Sequence, residues 1–162
     1  MRILILGDTH KERRNFMQAV DRTEPDEVWH MGDVEGDADF LRRYAKVPMK
    51  IVRGNMDRDD MSLPGNLIFV FGKHKVLMAH GHEYMVNFDL NMIRREAEKN
   101  GCDLILFGHL HKPFVIREEN LVIANPGSIA FPRQDGRKHT YLVLTDDPDG
   151  GIHLKECQLE EG

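Results

Sequence analysis

DLILFGHLH, residues 103–111, is the stretch that decides the fold. Its apolar run from Leu104 to Phe107, bounded by Asp103 and a glycine, predicts a buried β-strand. Two histidines, His109 and His111, follow that glycine. Because residues i and i+2 of an extended chain point to the same side, we expect both imidazoles to leave the carboxyl end of the strand together. Imidazole is the commonest metal ligand, so the pair indicates either a metal site or two surface histidines in a turn.

The same arrangement recurs along the chain, and this favours the metal site. Four further strand-like runs end in glycine or another small residue and are followed by side chains that can bind metal. The runs are Arg2–Leu6, Glu27–Met31, Met49–Arg53 and Lys75–Ala79, and the side chains after them are Asp8 with His10, Asp33, Asn55, and His80. Ligands of open α/β sheets bind beyond the carboxyl ends of the strands, so we expect these side chains to converge there.

Helical periodicity alternates with these strands. The apolar spacing predicts helices over Lys11–Thr23, Gly36–Lys46 and Asn87–Asn100. Such alternation is typical of a largely parallel sheet with right-handed crossovers. The remaining predicted strands, which are short and separated by turn residues, are Leu67–Phe71, Phe114–Arg117, Leu121–Ala124, Thr140–Thr145 and Ile152–Leu159. We therefore predict an α/β fold in which two sheets pack face to face with helices outside.

The length and composition predict one globular domain over residues 1–162. Hydrophobic residues make up 41% of the chain, and no apolar stretch approaches the ~20 residues that a membrane helix needs. The net charge of -5 argues against an extended nucleic-acid surface but leaves a small phosphate ester open, because bound cations reverse the local sign. Two cysteines without framework spacing, and an N-terminus that reads as a strand, predict a cytoplasmic location.

The side chains at the strand ends form a donor set that suits metal. They are Asp8, His10, Asp33, Asn55, His80, His109 and His111. Carboxylates held together repel one another unless a cation is bound. The set exceeds the about three protein ligands of an open zinc site, so two ions that share a bridging carboxylate suit it better. Mixed oxygen and nitrogen donors without thiolate favour manganese, iron, zinc, nickel or cobalt over calcium.

These residues stand in five short motifs, which occur in a fixed order. The motifs are Asp8-x-His10, Gly32-Asp33, Gly54-Asn55, His80-Gly81 and Gly108-His109-x-His111. Together they resemble the calcineurin-like metallophosphoesterase superfamily, and in particular its short, single-domain prokaryotic phosphodiesterase branch. The resemblance implies a four-layer α-β-β-α sandwich with mixed sheets.

The resemblance also implies how the donors divide between two divalent ions. Asp8, His10 and His111 would hold the first ion, Asn55, His80 and His109 would hold the second, and Asp33 would bridge both. The implied reaction is hydrolysis of a small phosphate ester, above all a phosphodiester, by in-line attack of a metal-bridging hydroxide, with manganese the first expectation for the metal. Catalytic roles for Asp33 and Asn55, and a homodimer or homotetramer, are implied in the same way.

One position departs from many members of that family. The histidine that often follows Gly-Asn and helps to protonate the leaving group is Met56 here, and a thioether cannot carry a proton near neutral pH. The short branch often lacks that histidine as well. His82 is our candidate for a replacement acid or a substrate contact, and the alternative is a surface histidine. A phosphomonoesterase acting on a nucleotide or protein phosphate stays open, as does a non-catalytic scaffold like the related retromer subunit.

For five further features the sequence gives simpler expectations. Asp57 is a candidate for orienting a metal ligand. The segment Asn125-Pro126-Gly127-Ser128 reads as an ordinary turn more than as a cover for the pocket. Arg53 could contact phosphate, but we expect it to be a solvated side chain. His30 and Trp29 are expected to be structural.

Overall fold

A computed structural model describes residues 1–160 of the chain, which form ten strands, three α-helices and two short 3-10 helices. The strands are β1 (Arg2–Leu6), β2 (Glu27–His30), β3 (Met49–Ile51), β4 (Asn66–Phe71), β5 (His74–Ala79), β6 (Leu104–Phe107), β7 (Pro113–Arg117), β8 (Val122–Pro126), β9 (Thr140–Asp146) and β10 (Ile152–Gln158). The α-helices are α1 (Arg13–Thr23), α2 (Ala38–Ala45) and α3 (Asn91–Lys99). None of the helices in this part of the chain has the length and apolar character needed to cross a membrane.

The first sheet has the strand order β10-β9-β1-β2-β3. Its strands β1, β2 and β3 run parallel, and β9 and β10 add to the other side of β1 in antiparallel pairing. After the exposed Arg2 at its start, β1 is apolar because both of its faces are covered. Leu4 and Leu6 pack with Phe16 of α1 and Leu41 of α2, whereas Ile3 belongs to the layer between the sheets.

The second sheet has the strand order β4-β5-β6-β8-β7. Its central strands β5, β6 and β8 are parallel, and the edge strands β4 and β7 are antiparallel to their neighbours. The stretch at residues 103–111 supplies β6, and Leu104 to Phe107 have no exposed surface. The prediction of a buried strand there is confirmed.

Apolar side chains from both sheets fill the space between them. The Trp29 ring lies edge-on to Phe69 and Phe71 of β4, with ring centroids 4.9 and 5.3 Å away. On the far side of the second sheet, Ile93 and Ala97 anchor α3. Helices, sheet, sheet and helix thus make four layers, so the predicted α-β-β-α sandwich with mixed sheets is confirmed, as is the structural role of Trp29.

Helix starts are less accurately predicted than the strands. α1 begins at Arg13 rather than Lys11, because Lys11 has a φ of 68°, which a right-handed helix cannot include. α3 begins at Asn91 rather than Asn87. At this start, the Asp89 carboxylate accepts the backbone N–H of Asn91 at 2.9 Å. The two 3-10 helices, Asn55–Asp57 and His82–Tyr84, lie a few residues after β3 and β5 and have no counterpart in the sequence prediction.

Candidate metal centre

Five strand ends, three from the first sheet and two from the second, meet at one end of the sandwich. The residues that follow them are Asp8 after β1, Asp33 after β2, Asn55 after β3, His80 after β5, and His109 and His111 after β6. His10 lies two residues beyond Asp8 in the same loop. The structure brings all these side chains into one connected cluster, as their distances show.

Asp8, His10 and His111 form the first group. The Oδ1 atom of Asp8 lies 3.3 Å from Nε2 of His111 and 3.9 Å from Nε2 of His10. The two Nε2 atoms are 3.4 Å apart. Three donor atoms within 4.8 Å of one another can surround a single ion. This group has the same members as the first ion site implied by the resemblance.

Asp8, Asp33 and His80 form a second group, which shares Asp8 with the first. The Oδ2 atom of Asp33 lies 3.2 Å from Nε2 of His80 and 3.7 Å from Nε2 of His10. The Oδ1 atom of Asp8 lies 3.7 Å from Nε2 of His80. Asp33 therefore stands between a histidine of each group, at a position from which one carboxylate can contact two ions.

Asn55 and His109 complete the cluster on the side of His80. The Oδ1 atom of Asn55 is 3.0 Å from Nε2 of His80, and Nδ1 of His109 is 3.3 Å from the same nitrogen. These contacts agree with a second ion held by Asn55, His80 and His109. Which donors bind which ion stays a prediction.

Two of the histidines are oriented by backbone carbonyl groups. The Nδ1–H of His80 donates to the carbonyl oxygen of Met31 at 2.7 Å, and the Nδ1–H of His111 donates to that of Phe131 at 2.6 Å. Each bond fixes the tautomer and turns the Nε2 lone pair of that histidine toward the cluster. Histidines that bind metal are typically held in this way.

The loops that carry the cluster have an unusual backbone. Positive φ angles of 43° to 68° occur at five non-glycine donors, which are Asp8, His10, Asp33, His109 and His111. The expectation that His109 and His111 share one side of an extended chain is therefore wrong. Left-handed geometry turns His109 toward His80 and His111 toward Asp8. Such angles cost free energy in non-glycine residues and persist where the surrounding structure enforces them.

Two glycines let the first-sheet loops come close together. A Cβ atom on Gly54 would lie 2.1 Å from Oδ1 of Asp33, and one on Gly32 would lie 2.8 Å from Nδ1 of His80. Gly32 also has a φ of 103°, which side chains rarely allow. Glycine is required at both positions for Asp33 and His80 to reach each other.

Asp57 organises the loop that carries Asp33. Its buried carboxylate accepts four backbone N–H groups, those of Asp33 at 2.6 Å, Val34 at 3.3 Å, Glu35 at 2.7 Å and Gly54 at 3.0 Å. The carboxylate thus ties the loop after β2 to the loop after β3. The interpretation of Asp57 as a residue that orients a donor agrees with this geometry.

The segment at residues 125–128 does more than form the ordinary turn that the sequence favours. Asn125 and Pro126 belong to β8, and the Asn125 amide donates to the carbonyl oxygen of Gly108 at 2.9 Å. The Ser128 hydroxyl donates to the carbonyl oxygen of Asp8 at 3.0 Å. This segment therefore holds the backbone of both loops that carry the first group.

Two contacts to the donors were missed in the sequence. The Asn87 amide lies 3.1 Å from Nε2 of His109, and Oε1 of Glu35 lies 3.6 Å from Nδ1 of His10. Asn87 falls inside a predicted helix, and Glu35 falls in a loop without a pattern. No periodicity or motif marks either residue, so only the tertiary structure reveals them.

The electrostatics of the cluster call for a cation. Asp8 and Asp33 are 0% and 2% exposed, and Oδ1 of Asp8 has no hydrogen-bond partner among residues 1–160. Burial opposes the charge of Asp33, but the hydrogen bond and charge of His80, with the Met56 N–H, outweigh it and lower the pKa of Asp33 to about 2. Burial likewise opposes the charge of His80, yet Asp33 and Asp8 raise its pKa. A bound cation would take the place of this proton, so the donors fit divalent metal.

Three residues at the rim bear on substrate contact. The His82 ring lies 5.4 Å from that of His80 and 6.3 Å from that of His109, so it borders the second group. The Met56 side chain is 55% exposed, and its backbone N–H donates to Asp33 at 2.9 Å. The Arg53 guanidinium donates to the carbonyl oxygen of Leu63 at 3.3 Å. The role of His82 in catalysis stays a prediction.

Known proteins match nearly the whole chain. The family model for the calcineurin-like phosphoesterase superfamily domain matches residues 1–148. The probable metallophosphoesterase YsnB of Bacillus subtilis is 32% identical over 151 residues, which cover 92% of this chain and 86% of that protein.

Solved structures share the fold along their full lengths. A predicted phosphoesterase from Streptococcus pneumoniae has a TM-score of 0.78 at 27% identity, covering 98% of this chain and 97% of its own. A Vps29 mutant from Entamoeba histolytica has a TM-score of 0.77 at 20% identity, covering 99% and 100%. A protein described as an archaeal phosphodiesterase has a TM-score of 0.72 at 20% identity, covering 98% and 100%. The last two likenesses concern the fold alone.

Proposed function

This chain belongs to the calcineurin-like phosphoesterase superfamily, and from that premise we propose that it is a phosphodiesterase that works with two divalent metal ions. The observation that carries the proposal is the buried cluster in which Asp33 stands between His10 and His80, within 3.7 Å of both. Two carboxylates and four imidazoles gathered in this way have no structural use without a cation.

In the proposed site, Asp8, His10 and His111 would hold one ion, Asn55, His80 and His109 would hold the other, and Asp33 would serve both. Bound ions of this kind activate water and neutralise charge on the phosphoryl oxygens, with manganese our first choice. Short distances support this division, since His111 lies 3.3 Å from Asp8, and Asn55 and His109 lie 3.0 and 3.3 Å from His80.

The protein's own contribution is to fix the donors before substrate binds. Carbonyl oxygens hold His80 and His111 with their Nε2 atoms turned inward, and Asp57 fixes the loop that carries Asp33. A site that is organised in advance stabilises charge in the transition state without reorganisation during the reaction.

A diester is the better candidate substrate for two reasons. Met56 stands where many relatives carry a proton-donating histidine, and the short phosphodiesterase branch often lacks that histidine as well. The short branch that the chain resembles is that of phosphodiesterases, and one protein with the same fold is described as an archaeal phosphodiesterase. A phosphomonoester remains the alternative substrate.

Two variants test the proposal against a chromogenic phosphodiester in the presence of manganese. Asp33→Asn and His109→Ala are each expected to lower kcat/KM by about a hundred-fold or more, because removal of a ligand or its partner impairs metal-assisted hydrolysis. Matched controls are Asp149→Asn and His153→Ala, which lie in and beside the exposed β9–β10 turn and should keep wild-type activity. Full activity in both site variants would refute the proposal.

A second measurement separates the substrate classes. The wild-type enzyme is assayed with a p-nitrophenyl diester and with p-nitrophenyl phosphate at equal metal loading. A higher kcat/KM for the diester supports the phosphodiesterase, and a higher value for the monoester supports the alternative. Elemental analysis of the purified protein, before and after loading, identifies the metal and the number of ions bound.

A further inference from the structure

A cavity of about 430 Å³ opens beside the candidate metal centre. Its lining residues belong to the loop before β9 and are Ala130, Phe131, Pro132, Arg133, Arg137 and His139. None of them is among the candidate metal donors, and none of their side chains takes part in the proposed reaction. The cavity is therefore a separate feature of the same face of the molecule.

The cavity is joined to the metal centre through two residues. The backbone N–H of Arg133 donates to the carbonyl oxygen of His111 at 2.9 Å, and the carbonyl oxygen of Phe131 accepts from the His111 ring. The Phe131 ring also packs against the His10 ring, with centroids 5.3 Å apart. A ligand that touches Phe131 in the cavity is thus next to the first group of donors.

The charge of the cavity suits an anion. Arg133 and Arg137 both line it, and within residues 1–160 neither guanidinium has an ion pair. Asp135 is the one acidic residue between them. His139 donates from Nδ1 to the carbonyl oxygen of Ile129 at 2.9 Å, which leaves Nε2 for a ligand. Both arginines are exposed, and guanidinium is the side chain best suited to phosphate.

Phe131 offers a flat apolar surface between the cavity and the metal centre. Its side chain is 58% exposed, although its backbone N–H is held by the Ser128 hydroxyl at 2.8 Å. An exposed aromatic ring on a fixed backbone is a typical stacking platform for a nucleobase.

We infer that this cavity binds a second phosphate of a nucleotide substrate whose diester lies at the metal centre and whose base stacks on Phe131. The inference rests on the proposed function and narrows its substrate class. In a 5′-phosphorylated dinucleotide, the oxygen of water bonds to the bridging phosphorus and the P–O3′ bond breaks. The O3′ atom takes up the proton that the attacking water releases, and two nucleoside 5′-monophosphates are released. The 5′-phosphate that does not react occupies the arginine cavity.

Binding gives the first test, because it does not depend on turnover. Isothermal titration calorimetry compares adenosine 3′,5′-bisphosphate with adenosine 3′-monophosphate on the manganese-loaded protein. We expect the bisphosphate to bind about ten-fold more tightly, since one charge-assisted contact to phosphate is worth that much. The double variant Arg133→Gln with Arg137→Gln should remove this preference. The control, Arg14→Gln with Arg43→Gln, removes two exposed charges from α1 and α2 and should keep it.

The outcomes are distinct. No preference in the wild-type protein, or an equal loss of preference in both double variants, overturns the inference. A second pair of variants tests the platform: Phe131→Leu should weaken bisphosphate binding by about five-fold or more, whereas Phe131→Tyr keeps an aromatic ring and should not. Equal weakening by both would argue against stacking.

Turnover then separates this inference from the proposed function. The wild-type enzyme is given a 5′-phosphorylated diadenosine dinucleotide and the same dinucleotide without its 5′-phosphate. A kcat/KM about ten-fold higher for the phosphorylated form supports the subsite. Cleavage of both at equal rates keeps the phosphodiesterase and refutes the subsite. Cleavage of neither, with the binding preference intact, refutes the phosphodiesterase and keeps the subsite.

Discussion

Nε2 of His111 lies 3.3 Å from Oδ1 of Asp8, a fully buried oxygen that accepts no hydrogen bond within residues 1–160. Asp8 follows β1 of the first sheet and His111 follows β6 of the second, so this contact joins the two halves of the sandwich. A carboxylate oxygen left without a donor is costly unless a cation binds it. The relationship predicts that metal stabilises the fold as well as the reaction.

Metal is therefore expected to raise the free energy of unfolding. With manganese at about 100 times its Kd, the gain is about 2.7 kcal/mol, and Tm rises by roughly 5 to 10 °C. Asp8→Asn removes the negative charge of a carboxylate shared by both groups and should abolish most of the rise. The measurement is thermal unfolding followed by circular dichroism, with and without a chelator. Asp149→Asn is the control, and an equal rise in Asp8→Asn and wild type would contradict the prediction.

Asp57 is expected to be required for stability through the backbone that it holds. Asp57→Asn replaces one carboxylate oxygen with a donor, so some of the four N–H groups lose their partner. Unfolding in urea should show a loss of about 2 to 4 kcal/mol. The neighbouring acid Asp59 is exposed, and Asp59→Asn should change stability by less than about 0.5 kcal/mol. Similar effects of the two substitutions would mean that Asp57 is not the organising residue.

Gly54 is expected to tolerate no side chain. In Gly54→Ala, the new Cβ atom would lie 2.1 Å from Oδ1 and 2.5 Å from the backbone nitrogen of Asp33, so one loop must move. We expect a loss of about 3 kcal/mol in unfolding free energy, with reduced manganese binding. At Gly65 the nearest atom is Nη2 of Arg53 at 3.5 Å, so Gly65→Ala should be neutral or slightly stabilising. Equal tolerance at both glycines would show that the loops have room to separate.

The strands and the donor residues could be predicted from the sequence for one physical reason. A strand covered on both faces must be apolar throughout, and polar side chains directly after it have no place in the core. Leu104 to Phe107 followed by His109 illustrates the signal, since both its parts are local in sequence. The parallel arrangement of such strands then brings their ends together without any need to know the loops.

What the sequence did not reveal depends on contacts between distant segments. The φ angles of His109 and His111 are set by neighbours on other strands, so the extended geometry assumed for them was wrong. Ser128 and Asp8 are 120 residues apart, and no pattern links them. The arginine cavity is hidden for the same reason, because Arg133 meets His111 only through the fold.

His82 is expected to contact the substrate and not the metal. Its ring lies 5.4 Å from that of His80, a member of the second group, and the residue is partly exposed. His82→Ala should raise KM for the chromogenic diester by about five-fold to ten-fold, with manganese content and Tm unchanged. His82→Gln keeps a donor and should recover part of the affinity. A fall in bound manganese that parallels the loss of activity would instead make His82 a support for the donors.

His30 is expected to make the fold sensitive to acid. Burial is the main cause that lowers its pKa from 6.5 to about 4; the nearby charge of His80 also lowers it, and those of Asp8, Asp57 and Asp33 oppose the shift. The ring is held as a neutral imidazole, because Nδ1 accepts the Gly32 N–H at 3.0 Å and Nε2 lies 3.1 Å from the Thr9 hydroxyl. Protonation would remove the first of these bonds.

Because the folded-state pKa lies below the unfolded value, the contribution of His30 to stability is complete above pH 6.5 and is lost as the pH falls toward 4. The total is on the order of 3 kcal/mol. Urea unfolding of the chelator-treated protein at several pH values should give a smaller slope for His30→Gln than for the wild type. Imidazole NMR signals provide the direct measurement: the His30 ring should stay neutral at pH 5, and a midpoint near 6.5 would show that its burial has no electrostatic consequence.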